Sequence, residues 1–261
     1  MKTKYNQITV VVMTYNHGQY IKKALDSILE QKINVGYKIL VHDDYSNDGT
    51  YQILCDYKEK YPDMFEIIRQ PSRQFLTKGF NNMIFEYVVP KIHTKYVAYC
   101  DGDDYWCDVY KLQKQFDFME KHHDYSMCFH SAYQLKTNKD MSSKWFIKEE
   151  GDLYLSDLIN DKPGIEIATS SIFVKSCVFK CFPNWRLSFD VEDFPLYIEA
   201  ALNGKIHRLS DLMCVYRQFA SGSWSSQNLN DKKRIILHQQ NVINSILLFD
   251  KETDYKYHDL V

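Results

Sequence analysis

The chain has no apolar run approaching the ~20 residues a membrane span requires; runs such as Ile8–Met13 and Tyr96–Cys100 are far shorter. Its start, Met1 to Gln7, is polar, and the apolar run behind it is too short for an export signal. Charge of one sign is also missing. The 32 Lys and Arg against 34 Asp and Glu leave a formal charge of −2, so no global field draws nucleic acid or anionic lipid. No C-x-x-C occurs, and the seven cysteines are scattered and odd in number, which argues against zinc and a disulfide framework and for reduced cytosolic thiols. Cys177 and Cys181 stand four apart but have no second ligand pair nearby. Glycine (9) and proline (6) are few, and no internal repeat or low-complexity linker marks a domain boundary. What is present is ordinary globular material, 45% hydrophobic and 25% charged. A length of 261 residues suits one large domain, or one domain plus an appendage. Aromatics reach 15%, led by 20 tyrosines, which suits stacking on sugars and bases.

The pattern alternates strand and helix over the first hundred residues. Ile8–Met13 is a β-branched run of the kind buried on both faces. Ile21, Ala24, Leu25, Ile28 and Leu29 then recur at helical spacing. Tyr37–Val41 predicts the next strand, Phe65–Ile68 a third, Gly79–Val89 a helix stopped by Pro90, and Tyr96–Cys100 a fourth strand. This argues an α/β layer with a largely parallel sheet. Further on, Leu112, Phe116 and Met119 predict an amphipathic helix with Lys111 and Lys114 outward, and Tyr125–Leu135 a strand. Residues 136–151 predict a mobile loop and Ile167–Val174 another strand. A helix through Ala201 and Leu202 ends at Gly204. Two short strands, Ile206–Leu209 and Leu212–Tyr216, precede a last helix over Ile235–Phe249.

The stretch the chain is organised around is Tyr96–Trp106. A buried strand breaks into Asp101, Asp103 and Asp104, three carboxylates within four residues, with Gly102 letting the backbone turn. Like charges packed at a strand end call for a cation. Mg²⁺ or Mn²⁺, shared with a substrate phosphate, fits such oxygen ligands. A solvated acidic turn is the competing reading. The balance is tipped by two other polar clusters, after Thr14 and at Asp43 and Asp44, which fall at strand carboxyl ends too, where open α/β sheets bind ligands.

The chain resembles the family 2 glycosyltransferases of GT-A fold, the group that builds bacterial capsule and O-antigen. The resemblance runs from Ile8 to about Trp224. It rests on Val-Val-Met-Thr-Tyr-Asn at 11–16, Asp-Asp-Tyr-Ser-Asn-Asp-Gly-Thr at 43–50, Asp-Gly-Asp-Asp at 101–104 and Glu-Asp-Phe-Pro-Leu at 192–196. Val-Tyr-Arg at 215–217 and Gly-Ser-Trp-Ser at 222–225 also look like this group. Two places depart from it: Phe219 stands where a His often follows the Tyr-Arg pair, and the segment containing Arg73 lacks the usual Asn-x-Gly.

The resemblance implies a Rossmann-like, mostly parallel sheet with helices on both faces and a smaller acceptor-side β region. It divides the chain into a nucleotide-binding half (1–106), an acceptor-binding half (107–226) and a C-terminal helical appendage (227–261). Thr14, Tyr15, Asn16, Asp44 and Arg73 would hold the nucleotide, with Asp44 accepting from a pyrimidine N–H. Asp101 would meet the ribose and Asp103 the metal diphosphate. Asp193 would be the catalytic base of an inverting transfer, with Glu192 its rival, and helix dipoles would favour its ionised form. Arg217 would approach the diphosphate, and Trp224 would close over donor and acceptor. The implied donor is a UDP-sugar, with dTDP open. The implied acceptor is a glycan or lipid-linked saccharide hydroxyl, and the cofactor is Mn²⁺ or Mg²⁺. The chain would act in the cytoplasm, with no nucleic acid partner. Its last helix would pack on the domain, join a second subunit or touch the membrane. Bland readings stand beside these: Asp43 and Asp44 as caps of the following helix, Asp193 as a first-turn helix acid, Trp224 as core, and His42, His130 and His207 as structural histidines. Alternatives of other kinds are a sugar-1-phosphate nucleotidyltransferase, whose Gly-rich basic loop after the first strand is missing here, and a non-catalytic sugar- or nucleotide-binding module descended from a transferase.

Overall fold

The computed structural model describes residues 6–135, 143–145, 149–160, 167–218, 220, 223, 226 and 231–261. The first half alternates as the periodicity predicts: β1 (Asn6–Thr14), α1 (Ile21–Leu29), β2 (Gly36–Asp43), α2 (Thr50–Lys60), β3 (Phe65–Arg69) and β4 (Tyr96–Tyr99). Between β3 and β4 lie the short helices α3 (Phe75–Lys78) and α4 (Phe80–Met83). The second half contains β5 (Tyr105–Trp106), α5 (Lys111–Lys121), β6 (Tyr125–Leu135), β7 (Ser143–Trp145), β8 (Gly151–Leu153), α6 (Leu155–Ile159), β9 (Phe173–Lys175), α7 (Ser176–Phe179), α8 (Asn184–Leu187), α9 (Asp193–Asn203), β10 (Lys205–Arg217) and α10 (Lys232–Glu252).

One sheet carries all of these strands in the order β3-β2-β1-β4-β9-β6-β10-β5, with β7 on β6 and β8 on β10. The four strands β3-β2-β1-β4 are mutually parallel. β9 then enters antiparallel between β4 and β6, and β10 returns parallel to β6. The alternation of side chains along β1 decides which layer each feeds. Ile8, Val10 and Val12 pack with Ile21, Leu25 and Ile28 of α1, whereas Val11 and Met13 pack with Met83, Ile84 and Leu196 on the other face. Helices therefore cover both faces, as doubly buried strands require. Each fully buried Ile, Leu or Val contributes about 1.5–3 kcal/mol, so β1, with six residues from Ile8 to Met13 nearly solvent-free, anchors the layer.

The structure corrects several expectations. Lys111 does not face outward: it lies in register with Gln115 and Met119 on the buried face of α5, and its side chain is fully enclosed. Its Nζ donates to Gln115 Oε1 at 2.7 Å and sits 4.1 Å from the Trp106 ring centroid. Burial pulls its pKa down to about 8. The helix expected over Gly79–Val89 is broken into α4, a π turn over Ile84–Val88 and a 3-10 turn over Val89–Lys91 that contains Pro90. Only Phe173–Lys175 of the strand expected from Ile167 is extended; Thr169–Ser171 form a 3-10 turn. The two strands expected after Gly204 are one, β10, whose register slips between Leu209 and Leu212. That bulge lets a single strand read as two in the sequence. Gly204 itself allows a close approach, since a Cβ there would lie 2.9 Å from the Asp124 carbonyl oxygen. The loop expected at 136–151 falls largely outside the described residues.

α10 extends the expected C-terminal helix at both ends. Its N-terminus is capped by Asp231, whose carboxylate accepts from the amides of Lys233 and Arg234. Phe249 is fully buried in a separate cluster with Trp185, Phe189 and Ile198, with Val242 and Ile246 packed beside it. Ile236, Leu237, Ile243 and Leu247 remain exposed.

Candidate active site

The carboxyl ends of β1, β2 and β4 meet at one edge of the sheet. The Asp44 amide donates to the Thr14 carbonyl at 3.0 Å, and the Gly102 amide donates to the Met13 carbonyl at 2.9 Å. Gly102 is required by proximity: a Cβ would fall 2.7 Å from Thr14 Oγ1 and 2.8 Å from His17 Nδ1. The acidic turn thus lies directly against the loop after β1.

A cavity of about 650 Å³ opens at this edge, and its wall includes Thr14, Tyr15, Asp44, Arg73, Asp101, Asp103, Glu192 and Asp193. These eight expected site residues, spread over 180 positions of sequence, are brought together. The Arg73 guanidinium stacks on Tyr15, 3.9 Å from its ring centroid. Asp44 accepts from the amides of Gln74 (2.7 Å) and Phe75 (3.1 Å), which aims its carboxylate and ties β2 to α3. Neither Asp43 nor Asp44 caps α2, the competing reading for both: Gly49 holds the N-cap place, and Asp48 just before it accepts from the Thr50 amide and hydroxyl. Asp43 is fully buried and holds the amide of Ser46.

Two expected residues take other positions. Asn16 is absent from the cavity wall; its Oδ1 accepts from the Asn47 amide at 2.9 Å and its own amide donates to Ser46 Oγ, so it fastens two loops together. Asn16 adopts φ 55°, a left-handed conformation that Asn tolerates. Arg217 sits behind the acidic turn rather than on the cavity wall: its guanidinium donates to the Asp103 carbonyl and its amide to Asp104 Oδ1. Trp224 and Phe219 lie outside the described residues.

The site is crowded with buried acid. Burial, reinforced by the neighbouring Asp104 and Asp103, pushes the Asp101 carboxyl well above its usual range. Asp104 is pushed up to about 8 by burial and by Asp103, against the hydrogen bonds from Arg217 and Ser170. Glu192 is raised by burial and by Asp193, and accepts a short bond from the Tyr99 hydroxyl. Asp193 opens α9, where the dipole was expected to favour its charge. Burial outweighs that help and raises its pKa; the bond from the Phe194 amide lowers it only in part. A raised carboxylate pKa brings a group nearer to neutrality, where a general base works best.

Several residues on or beside the cavity wall carried no signal by motif. His17 places Nε2 3.9 Å from Asp103 Oδ2. Ser170 Oγ donates to Asp104 Oδ2 at 2.8 Å and accepts from the Asp101 amide at 3.0 Å. His42, read as structural, lies on the wall, accepts through Nε2 from the Gln70 amide nitrogen, and is held neutral by burial, with its pKa pulled to about 4. His130 and His207 are structural, on Ser131 and Asp152. From α10, His238, Val242 and Ile246 reach the same cavity. Their four-residue spacing is one helix stripe, the signal that could have grouped them.

Among the described residues no three His, Cys or acidic side chains converge as a ready-made metal cage. Asp101 and Asp103 nevertheless suit a hard cation. Both are oxygen donors on the cavity wall, the first destabilised by its acidic neighbours. Mg²⁺ commonly binds through one or two carboxylates and takes its remaining ligands from substrate phosphates and water.

An uncharacterized Mycobacterium bovis protein, Mb1547, is 28% identical over 230 residues, covering 87% of this chain and 63% of its own length. The chain thus spans less than two thirds of that relative. Among solved structures, S. aureus TarS in complex with UDP-GlcNAc superposes with a TM-score of 0.62 at 21% identity, covering 84% of this chain and 60% of its own. The Pyrobaculum calidifontis mannosyltransferase PcManGT, in complex with GDP-Man and Mn²⁺, superposes with a TM-score of 0.63 at 17% identity, covering 92% and 65%. The mixed α/β sheet is therefore the GT-A fold of these transferases. With glycosyl transferase family 2 matching residues 9–180, well over half of the sequence, the chain belongs to that family.

Proposed function

We propose that the chain is an inverting transferase that moves a sugar from a UDP-sugar to a hydroxyl of a glycan or lipid-linked saccharide during surface polysaccharide synthesis. The observation that carries this reading is the meeting of Asp101, Asp103 and Asp193 on one cavity wall, beside the Tyr15–Arg73 stack. Tyr15 and Arg73 offer a face for a base. Asp44 keeps a free lone pair on each oxygen after binding the two α3 amides, enough to accept from uracil N3–H. Asp101 takes the ribose side, and Asp103, with Asp101, would hold Mn²⁺ or Mg²⁺, which would supply positive charge against the departing diphosphate. Asp193 takes the proton of the acceptor hydroxyl as that oxygen attacks the anomeric carbon. Attack from the face opposite the diphosphate inverts the centre, so an α-linked donor gives a β-linked product. Arg217, by fixing the Asp103 carbonyl and Asp104, keeps the turn in place. No helix among the described residues is long and apolar enough to cross a membrane. We place the activity in the cytoplasm, with the exposed apolar side chains of α10 available for a second subunit or the membrane face.

A thermal-shift panel of nucleoside diphosphates with and without Mn²⁺ tests the reading, since a ligand that binds the native state raises its stability. UDP with Mn²⁺ is expected to give the largest rise. A large rise with GDP and none with UDP would overturn the base assignment.

A further inference from the structure

The segment that leads into Asp193 is held from two sides. Asn81 of α4 donates through Nδ2 to the carbonyls of Phe189 (2.9 Å) and Val191 (2.7 Å). On the other side stands α10. Asn241 accepts from the Asp190 amide at 2.9 Å and donates to the Ser188 carbonyl at 3.0 Å. One turn earlier, His238 Nδ1 lies 2.9 and 3.0 Å from the two carboxylate oxygens of Asp190. His238 is about one quarter exposed and shares the cavity wall with Asp193. α10 lies outside the matched family region, and none of the motifs reaches it.

We propose that His238 is a positioning residue for Asp193: as an imidazolium paired to Asp190, it fixes the chain entering α9 and holds positive charge toward the base. This rests on the reading of Asp193 as the base of a glycosyl transfer. Among the described residues, the charged and titratable groups around Asp193 are Asp101 from the turn after β4, Asp190 and Glu192 from the chain ahead of α9, Tyr197 from α9 itself, and His238 from α10. The acids all disfavour a second negative charge; His238 favours it. Asp190, in turn, raises the pKa of His238 by its hydrogen bond and by its charge, so the cation persists to higher pH. The pair therefore offsets the repulsion that Asp190 alone would exert on Asp193. Removing the cation makes Asp193 hold its proton to higher pH, so the acid limb of the rate profile moves up.

The test compares the wild-type protein with His238→Gln, which keeps a hydrogen-bonding side chain and loses the charge, and with His238→Lys, which returns it. Transfer from a UDP-sugar with Mn²⁺ is followed from pH 5.5 to 9. In His238→Gln the acid limb of kcat/KM is expected to rise, with a loss of about tenfold below the limb for each pH unit of movement. The loss at pH 9 is expected to be much smaller, and His238→Lys should move the limb back. A limb that stays in place while the rate drops equally at all pH values would overturn the proposal, because a merely structural or substrate-contacting role behaves that way. Titration of ¹³C-labelled Asp193 in the same proteins separates this inference from the enzymatic reading. If no protein transfers sugar, the family reading of the activity fails. The carboxyl midpoint still has to rise in His238→Gln, and an unchanged midpoint overturns the inference. Should His238→Gln not fold, NMR titration of His238 in the wild-type protein decides: a midpoint below the ordinary imidazole value of about 6.5 contradicts a persistent imidazolium.

Discussion

Asp103 and Asp104 are adjacent and take opposite parts. Asp104 is buried, accepts from Ser170 and from the Arg217 amide, and joins the turn after β4 to the end of β10. Asp103 faces the cavity beside His17. Replacing Asp103 removes an oxygen proposed to hold the metal and leaves that junction intact. Asp103→Ala is therefore expected to weaken UDP binding at least tenfold in Mn²⁺ while metal-free binding hardly changes, as calorimetry can measure. Equal losses with and without metal would mean that the residue shapes the turn instead. Asp44 shows how a bland and a functional reading can coexist. It does bind helix amides, but those of α3 across the sheet edge, and they orient it at the cavity.

At the scale of elements, α10 is joined to the domain by Phe249, which meets Trp185 edge-on at 5.1 Å, and by the polar contacts of His238 and Asn241. Phe249→Ala should cost about 3–5 kcal/mol if the helix stays in place, as for other buried aromatics. Denaturant melts would record that loss; a change under 1 kcal/mol would mean that α10 contributes little to the fold. Strands β1 to β4 and helix α1 were legible because their apolar periods are long and uninterrupted, as in Ile8–Met13. β5 was missed because a two-residue strand, Tyr105–Trp106, carries no period at all. The charge of Lys111 points outward, but its spacing sets it with Gln115 and Met119 on the inner face, and the spacing prevails. The site divides in the same way. Thr14, Tyr15, Asp44, Asp101 and Asp193 lie in local motifs at element ends, so the sequence exposes them. His238 and Asp190 are 48 positions apart and meet only through the packing of α10 on α8, which no local pattern encodes.

Across the whole molecule, the buried acids give the site an electrostatic cost that depends on pH. Asp101, Asp104, Glu192 and Asp193 all have pKa values raised by burial above the ordinary carboxylate range. Such groups bind more protons folded than unfolded, so their stabilisation is complete below about pH 4 and is lost as pH rises through the folded pKa values. For Asp104 that loss extends to about pH 8. His238, raised by Asp190, loses stabilisation in the same direction as it deprotonates. Carboxylates lowered by partners, such as Glu66 beside Lys91, act oppositely and only at more acid pH. His42 and His130, whose pKa values burial lowers, act oppositely up to the ordinary imidazole value of about 6.5. The melting temperature without ligands should therefore fall between about pH 6.5 and 8, and UDP with Mn²⁺ should restore much of it. A flat or rising profile over that window would show that the acids are less crowded than the fold implies. Asp193 is the base on which the proposed transfer depends, and Asp193→Asn tests that role because it keeps the shape and removes the basicity. The measurement is release of UDP from a UDP-sugar during transfer, set beside UDP affinity in the same protein. Transfer should fall roughly 10²–10⁴-fold with affinity little changed; full activity in Asp193→Asn, with Glu192→Gln inactive, would contradict the assignment.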